Sequence, residues 1–273
     1  MNTAMTASMH ASVNATGSLY LSRARLRRDV PAVALRHLLV ADDASARTAT
    51  THRLVWTLFA DAPDRERDFL WREAEPGLFY LLSRRPPDDH HRLFHLDPPK
   101  PFAPEFAEGD RLAFALRANA TVARHAEGKP RAKDGRVRGG RCDVVMDALH
   151  GTAAGGRAES RLTVLDGVAH AWLGRQGERS GFVLDPLVPP VRGDAEDCDD
   201  VGLARRGGFS VAGYRVLRVD RGARQARMQL GMLDVEGVLT VRDPTAFVDA
   251  LGRGFGRAKA FGCGLMLVRR APA

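Results

Sequence analysis

The stretch Gly252-Arg-Gly-Phe-Gly-Arg-Ala-Lys-Ala-Phe-Gly-Cys-Gly264, followed by the apolar run Leu265-Met-Leu-Val268, decides how this chain is read. Five glycines and three cations fall within thirteen residues. Glycine has no Cβ, so backbone N–H groups there can approach a phosphate closely. Arg253, Arg257 and Lys259 bring positive charge to the same place. The spelling argues against two nucleotide sites. A P-loop needs G-x-x-x-x-G-K followed by Ser or Thr, whereas Lys259 lies between Ala258 and Ala260. A dinucleotide fingerprint needs an acidic residue about 20 positions further on, and none follows. Two readings of the loop remain. It contacts an RNA backbone just before a C-terminal strand, or it is a glycine-rich turn between a helix and a strand, with scattered surface arginines.

Composition narrows the partner. The 273 residues suit one large domain or two of roughly 130. Hydrophobic residues make up 44%, enough for a core, and a net charge of +8 points to an acidic partner. Only four of the 41 cations are lysine (Lys100, Lys129, Lys133, Lys259), so clustering of arginines says more than their number. Cys142, Cys198 and Cys263 are far apart and form no C-x-x-C pair, which supports neither a disulfide framework nor a cysteine zinc site. No run of about 18 apolar residues is present, so no membrane partner is expected. Residues 1–18 are small and polar, without the cationic start and apolar centre of a signal peptide. They read as a disordered extension or an early start codon, and a cytoplasmic location is expected.

Periodicity gives the elements. Leu19 to Leu26 alternates as a half-buried strand, and Ala46 to Phe59 reads as an amphipathic helix ended by Asp61, Pro63 and Asp64. Phe69 to Glu73 and Leu78 to Ser83 form a strand pair around Pro76-Gly77, and Asp110 to Ala118 alternates again. A basic segment from Arg124 to Arg141 surrounds Asp134-Gly135, a hairpin turn signal. Leu162 to Arg175 reads as a helix ending at Gly174 or Gly177. Phe209 to Val219, Ala226 to Met232 and Gly237 to Val241 read as strands, and Asp243 caps a helix from Pro244 to Leu251. Adjacent strand runs in each half favour an α+β fold of two tandem ferredoxin-like (RRM-like) domains. The expected division is 1–18 extension, 19–122 N-terminal domain, 123–142 basic hairpin or linker, and 143–273 C-terminal domain with the glycine loop.

Several segments, taken in order, resemble one family. They are LYLSRARL from Leu19, THRLVWTLF from Thr51, RERDFLW from Arg65, PPKPFAP from Pro98 and FALRAN from Phe114. AWLGR from Ala171, EGVLTV from Glu236 and the glycine-rich tail complete the set. Together they resemble the CasE family, the CRISPR-associated endoribonuclease of type I-E systems. The resemblance implies two ferredoxin-like domains, cleavage of the repeat hairpin of pre-crRNA, and a place among the other subunits of Cascade. It implies no cofactor and no metal.

A metal-free ribonuclease makes the RNA's own 2′-OH attack the neighbouring phosphate, leaving a 2′,3′-cyclic phosphate and a 5′-OH. The 2′-OH must lose a proton, the leaving oxygen must gain one, and charge on the phosphate must be stabilised. The resemblance implies that His52, on the first helix, moves a proton and that Lys259 meets the phosphate. The family's tyrosine three positions earlier is here Ala49, which leaves the second proton-transfer group open and keeps a weak or inactive hairpin-binding subunit as the alternative. Lys129, Arg131, Lys133, Arg136, Arg138 and Arg141 match the family's basic stretch and imply contacts to the hairpin stem. Arg253, Gly254, Gly256, Arg257 and Gly262 complete the expected RNA-binding set. His91 and His95 have a spacing compatible with metal, without a clear further ligand.

Overall fold

The computed structural model describes residues 18–27, 44–60, 66–124, 140–187, 208–219 and 228–271. The elements run β1 (Tyr20–Leu26), α1 (Ala44–Trp56), β2 (Phe69–Glu75), β3 (Leu78–Ser83), β4 (Phe94–Leu96) and β5 (Lys100–Pro101). They continue with β6 (Arg111–Ala118), β7 (Thr121–Arg124), β8 (Gly140–Asp143), α2 (Val144–Ala148), α3 (Arg157–Ser180) and β9 (Phe182–Leu184). The last are β10 (Phe209–Val219), β11 (Met228–Val241), α4 (Pro244–Arg253) and β12 (Met266–Arg270), with single 3₁₀ turns at Ala154–Gly156 and Lys259–Phe261.

Two antiparallel sheets hold most of these strands. The first has the order β2-β3-β1-β4, with β5 also on β1, and the second β10-β11-β6-β12, with β9 also on β11. In the second unit β6, α3, β10, β11, α4 and β12 follow one another as strand-helix-strand-strand-helix-strand, the ferredoxin-like arrangement. Its fourth strand lies beside its first, and its third lies between first and second. The first unit has the same sheet order, built from β1, α1, β2, β3 and β4, but turns and irregular chain at residues 84–93 replace its second helix. The fold is α+β with two tandem ferredoxin-like units.

β6 belongs to the second unit. It pairs with β11 from Ala118 opposite Leu233 to Arg111 opposite Thr240, and with β12 on its other side. The expected boundary after residue 122 therefore does not follow the sheets, which change over between β5 and β6. Alternation marks a strand but does not name its neighbours, and those here come from the far end of the chain. Leu112 to Leu116 are all buried, so both faces of β6 are covered: Leu112, Phe114 and Leu116 on one, Ala113 and Ala115 on the other.

Three further boundaries differ from the periodicity reading. α3 runs through Gly174 and Gly177 and stops at Gly181, whose φ of 71° is the left-handed helix cap. Gly177 is a packing residue, since a Cβ there would overlap the Phe182 carbonyl oxygen. β11 is one strand of 14 residues, not two. Asp234 and Glu236 lie on one face of it, alternating with buried Leu233 and Val235. The third is β7 and β8, which pair antiparallel from Thr121 opposite Asp143 to Arg124 opposite Gly140. They form the base of the expected basic hairpin, and Asp134-Gly135 lies outside the described residues. Asp243 caps α4 as expected, its Oδ1 accepting from the Ala246 N–H at 3.0 Å.

The sheet of the first unit has two distinct faces. Ala24, Phe69, Trp71, Phe79 and Leu81 pack with Leu54, Val55, Leu58 and Phe59 of α1 and the turn after it. The alternate residues Leu70 and Leu82 pack with Leu265 and Leu267 at the start of β12, joined by Leu21 and Tyr80. An apolar seam thus joins the two units. Polar groups border it: Arg117 of β6 forks onto Asp234 of β11 at 2.7 and 3.2 Å, and Arg72 of β2 is buried within their field. Truncating Leu82 to Ala should cost about 2–5 kcal/mol by opening a cavity in the seam, read as a lower midpoint in urea or thermal unfolding. A change well under 1 kcal/mol would show that the seam is not a packed core.

Candidate functional site

The seam brings the two ends of the chain together. α1 presents His52 to the 3₁₀ turn Lys259–Phe261 within the glycine loop. The His52 ring lies 6.0 Å from the ring of Phe261 and 6.1 Å from that of Trp56, measured between centroids. Its Nδ1 is buried without a hydrogen-bond partner. Burial pushes the imidazole below its usual 6.5, the nearby charges of Arg67 and Arg53 push the same way, and the Ala260 backbone opposes them. The ring is therefore mainly neutral at pH 7, the form that can accept a proton.

Lys259 is partly buried, and its ammonium donates to the Arg253 carbonyl oxygen. Burial lowers its proton affinity, and the charges of Arg67 and Arg253 add to that. Beside it opens a cleft of about 460 Å³ between the units, with Arg67, Arg84, Arg253 and Lys259 on its walls together with Asp68 and Asp249. Asp68 is already paired with Arg85 at 3.1 Å. Cations therefore dominate the cleft, which suits a phosphodiester and not a carboxylate-rich cation site.

The loop is held by its own glycines. Gly254, Gly256 and Gly262 have φ of 73°, 70° and 76°. At Gly262 a Cβ would stand 3.0 Å from the Trp71 ring, while the Trp71 Nε1 donates to the Ala260 carbonyl at 3.3 Å. The open sides of Gly254 and Gly256 face Leu70 and the Asn119 carbonyl. All three thus have a reason within the protein's own packing. Ala258 also holds a left-handed φ of 53°, a conformation costing about 1 kcal/mol in a residue with a Cβ. Neighbouring Cys263 is buried, which pushes its thiol up to about 12 and keeps it protonated, so it is no nucleophile.

The expected site residues fall into three groups. His52 faces the turn that begins at Lys259, with the Phe261 ring 6.0 Å away. Arg253 and Arg257 are exposed on the loop, where the Arg257 N–H donates to the Asn119 carbonyl at 3.2 Å. Arg141 is exposed on β8. Since β7 begins two residues after Asn119, the basic hairpin is rooted beside the glycine loop. Lys129, Arg131, Lys133, Arg136 and Arg138 lie outside the described residues. Ala49 sits on α1 one turn before His52. Arg67 was not among the expected residues. It precedes β2, inside a segment quoted only for its resemblance, and nothing in RERDFLW marks this arginine from its neighbours.

The chain matches the family model described as CRISPR associated protein over residues 19–270. No curated protein matches it. It is similar to the CRISPR endoribonuclease Cse3 bound to 19 nt RNA, at 25% identity and a TM-score of 0.58, covering 93% of this chain and 99% of that one. Thermus thermophilus Cse3 bound to an RNA representing a pre-cleavage complex matches at 25% identity and a TM-score of 0.55, over 92% and 99% of the two chains. Cas6e from Escherichia coli K-12 shares the fold at 20% identity and a TM-score of 0.51, over 93% and 100%.

An NMR titration of the His52 imidazole should give a midpoint below 6.5, because burial disfavours its charged form. The unfolded chain then binds more protons than the folded one in that window, so His52 withdraws stability as pH falls through about 6.5. A midpoint above 6.5 would contradict the burial described.

Proposed function

We propose, for a chain that belongs to the CRISPR associated protein family as its CasE resemblance implies, that it is an endoribonuclease which cuts the repeat hairpin of pre-crRNA to give mature crRNA. The observation that carries this reading is the convergence of His52 and the Lys259 loop across the seam, beside a cationic cleft. Cse3, 25% identical and solved with RNA, supports it.

The 2′-OH of the nucleotide before the cut attacks the phosphorus. A P–O2′ bond forms and the P–O5′ bond breaks, and the departing O5′ takes a proton from solvent water, so the products are a 2′,3′-cyclic phosphate and a 5′-OH. His52, neutral at pH 7, takes the 2′ proton, a contribution on the order of 10² to 10⁴ in rate. Lys259 places an ammonium against the non-bridging oxygens, whose charge grows as the fifth bond to phosphorus forms. These roles need no metal, because the nucleophile comes from the RNA itself. The exposed Arg141 and the basic segment before it contact the hairpin stem, and Arg253 and Arg257 contact the backbone near the cut.

After cleavage the protein stays on the crRNA hairpin as a subunit of Cascade. Among the described residues no helix is long and apolar enough to cross a membrane, and a cytoplasmic location suits a partner made of RNA. Ala49 favours a second reading, a hairpin-binding subunit with weak or no cleavage. The experiment that separates them is incubation of purified protein with its repeat hairpin in excess EDTA. The wild type should cut at the 3′ base of the stem, and His52→Ala should slow the cut by at least about 10² with little change in hairpin affinity. Cutting lost in EDTA would refute the metal-free mechanism, a fully active His52→Ala would refute the base, and tight binding with uncut RNA would favour the second reading.

A further inference from the structure

We propose that Arg67 is a third member of this site, its guanidinium contacting the scissile phosphate alongside Lys259; the proposal rests on the reading of the cleft as the place of RNA cleavage. Three observations carry it. Arg67 stands at the entry to β2 and lines the same cleft as Lys259, so the first unit supplies one wall cation and the second another. Its Nη1 is shut away from solvent and has no hydrogen-bond partner. Buried guanidinium nitrogens are nearly always paired, and an unpaired one calls for an explanation. The adjacent carboxylate is not that partner. The Asp68 Oδ2 accepts from the Arg85 Nε at 3.1 Å, and its Oδ1 is itself without a partner.

The third observation is electrostatic. The positive field of Arg67 reaches both His52 and Lys259. Arg67 and Lys259, both on the walls of the cleft, repel one another until an anion joins them. A phosphodiester is that anion. The attack adds negative charge to the two non-bridging oxygens as the P–O2′ bond forms and the P–O5′ bond breaks. A planar guanidinium can hold both oxygens, whereas the Lys259 ammonium acts as a point charge. Arg67 thus grips the phosphate while His52 removes the 2′ proton.

The test is single-turnover cleavage of the repeat hairpin in EDTA across a range of pH, with wild type, Arg67→Met and Arg67→Lys. Affinity is measured separately on a hairpin carrying a 2′-deoxy nucleotide at the cut. Charged and polar groups facing His52 are Arg53 from its own helix, Arg67 from the approach to β2, and the Ala260 backbone from the C-terminal loop. Arg67→Met should slow cleavage by roughly 10² to 10³ and move the His52 inflection in the rate profile to higher pH, with affinity for the deoxy hairpin within a few-fold. Arg67→Lys should keep the wild-type inflection and lose roughly tenfold in rate, since it retains charge but not the fork. A residue needed only for folding would reduce affinity and rate together and leave the inflection in place, and that result overturns the proposal. A wild-type rate in both variants overturns it as well. If Arg67→Met is too unstable to assay, Arg67→Lys decides alone: a slower cut on a fully bound hairpin supports the proposal, and an unchanged one refutes it. Wild-type protein that binds and never cuts would instead overturn the reading of the cleft, and the proposal with it.

Discussion

The indole of Trp71 holds the C-terminal loop in two ways at once. Its Nε1 donates to the Ala260 carbonyl at 3.3 Å, and its ring fills the space where any residue but glycine at 262 would carry a Cβ. Trp71 is itself buried in the core under α1, against Phe79. The loop is therefore referenced to the first unit although the second unit's chain makes it. His52, at the margin of that same core, then has a fixed distance to the turn that carries Lys259. If this contact were lost, the residues of the site would belong to two bodies without a common frame.

The seam around that contact mixes apolar packing with buried charge. Leu70, Leu82, Leu265 and Leu267 give it cohesion, while Arg117 and Asp234 face each other directly in the β6–β11 register. Arg72 is 7% exposed, and burial disfavours its charged form while Asp234 and Glu236 favour it. A partly buried ion pair of this kind adds little to stability compared with apolar side chains, yet removing Asp234 would leave the buried Arg72 without a compensating charge. Charge at the seam thus acts more on which sheets meet, and in what register, than on how tightly they hold. Asp234 takes its fork from Arg117 only when β11 lies beside β6 in this register, and its charge offsets that of Arg72 from β2.

How much of this was legible in the sequence varied with the range of the interaction. Local patterns were readable: the alternation of β1 and β10, the Asp243-Pro244 start of α4, and the strand pair around Gly77. β6 was readable as a strand but not as a member of the second sheet, because its partners lie more than a hundred residues away in sequence. The glycines were read first as openings toward a phosphate, yet each meets the protein's own atoms, and spacing alone cannot tell an open face from an occupied one. His52 stood out only through the family likeness. Arg67 did not stand out at all, since its meaning comes from a cleft whose other wall is supplied by the last thirty residues.

The two-sheet construction has one more consequence. His52 and Arg67 belong to the first unit and Lys259 to the second, and the chain passes between the units in the short crossing from β5 to β6. The site is thus a joint property, absent from each half taken separately. Sequence drift in either half is tolerated only so far as the other half can follow it. The two ferredoxin-like units, alike in topology, are bound to evolve as one inseparable pair.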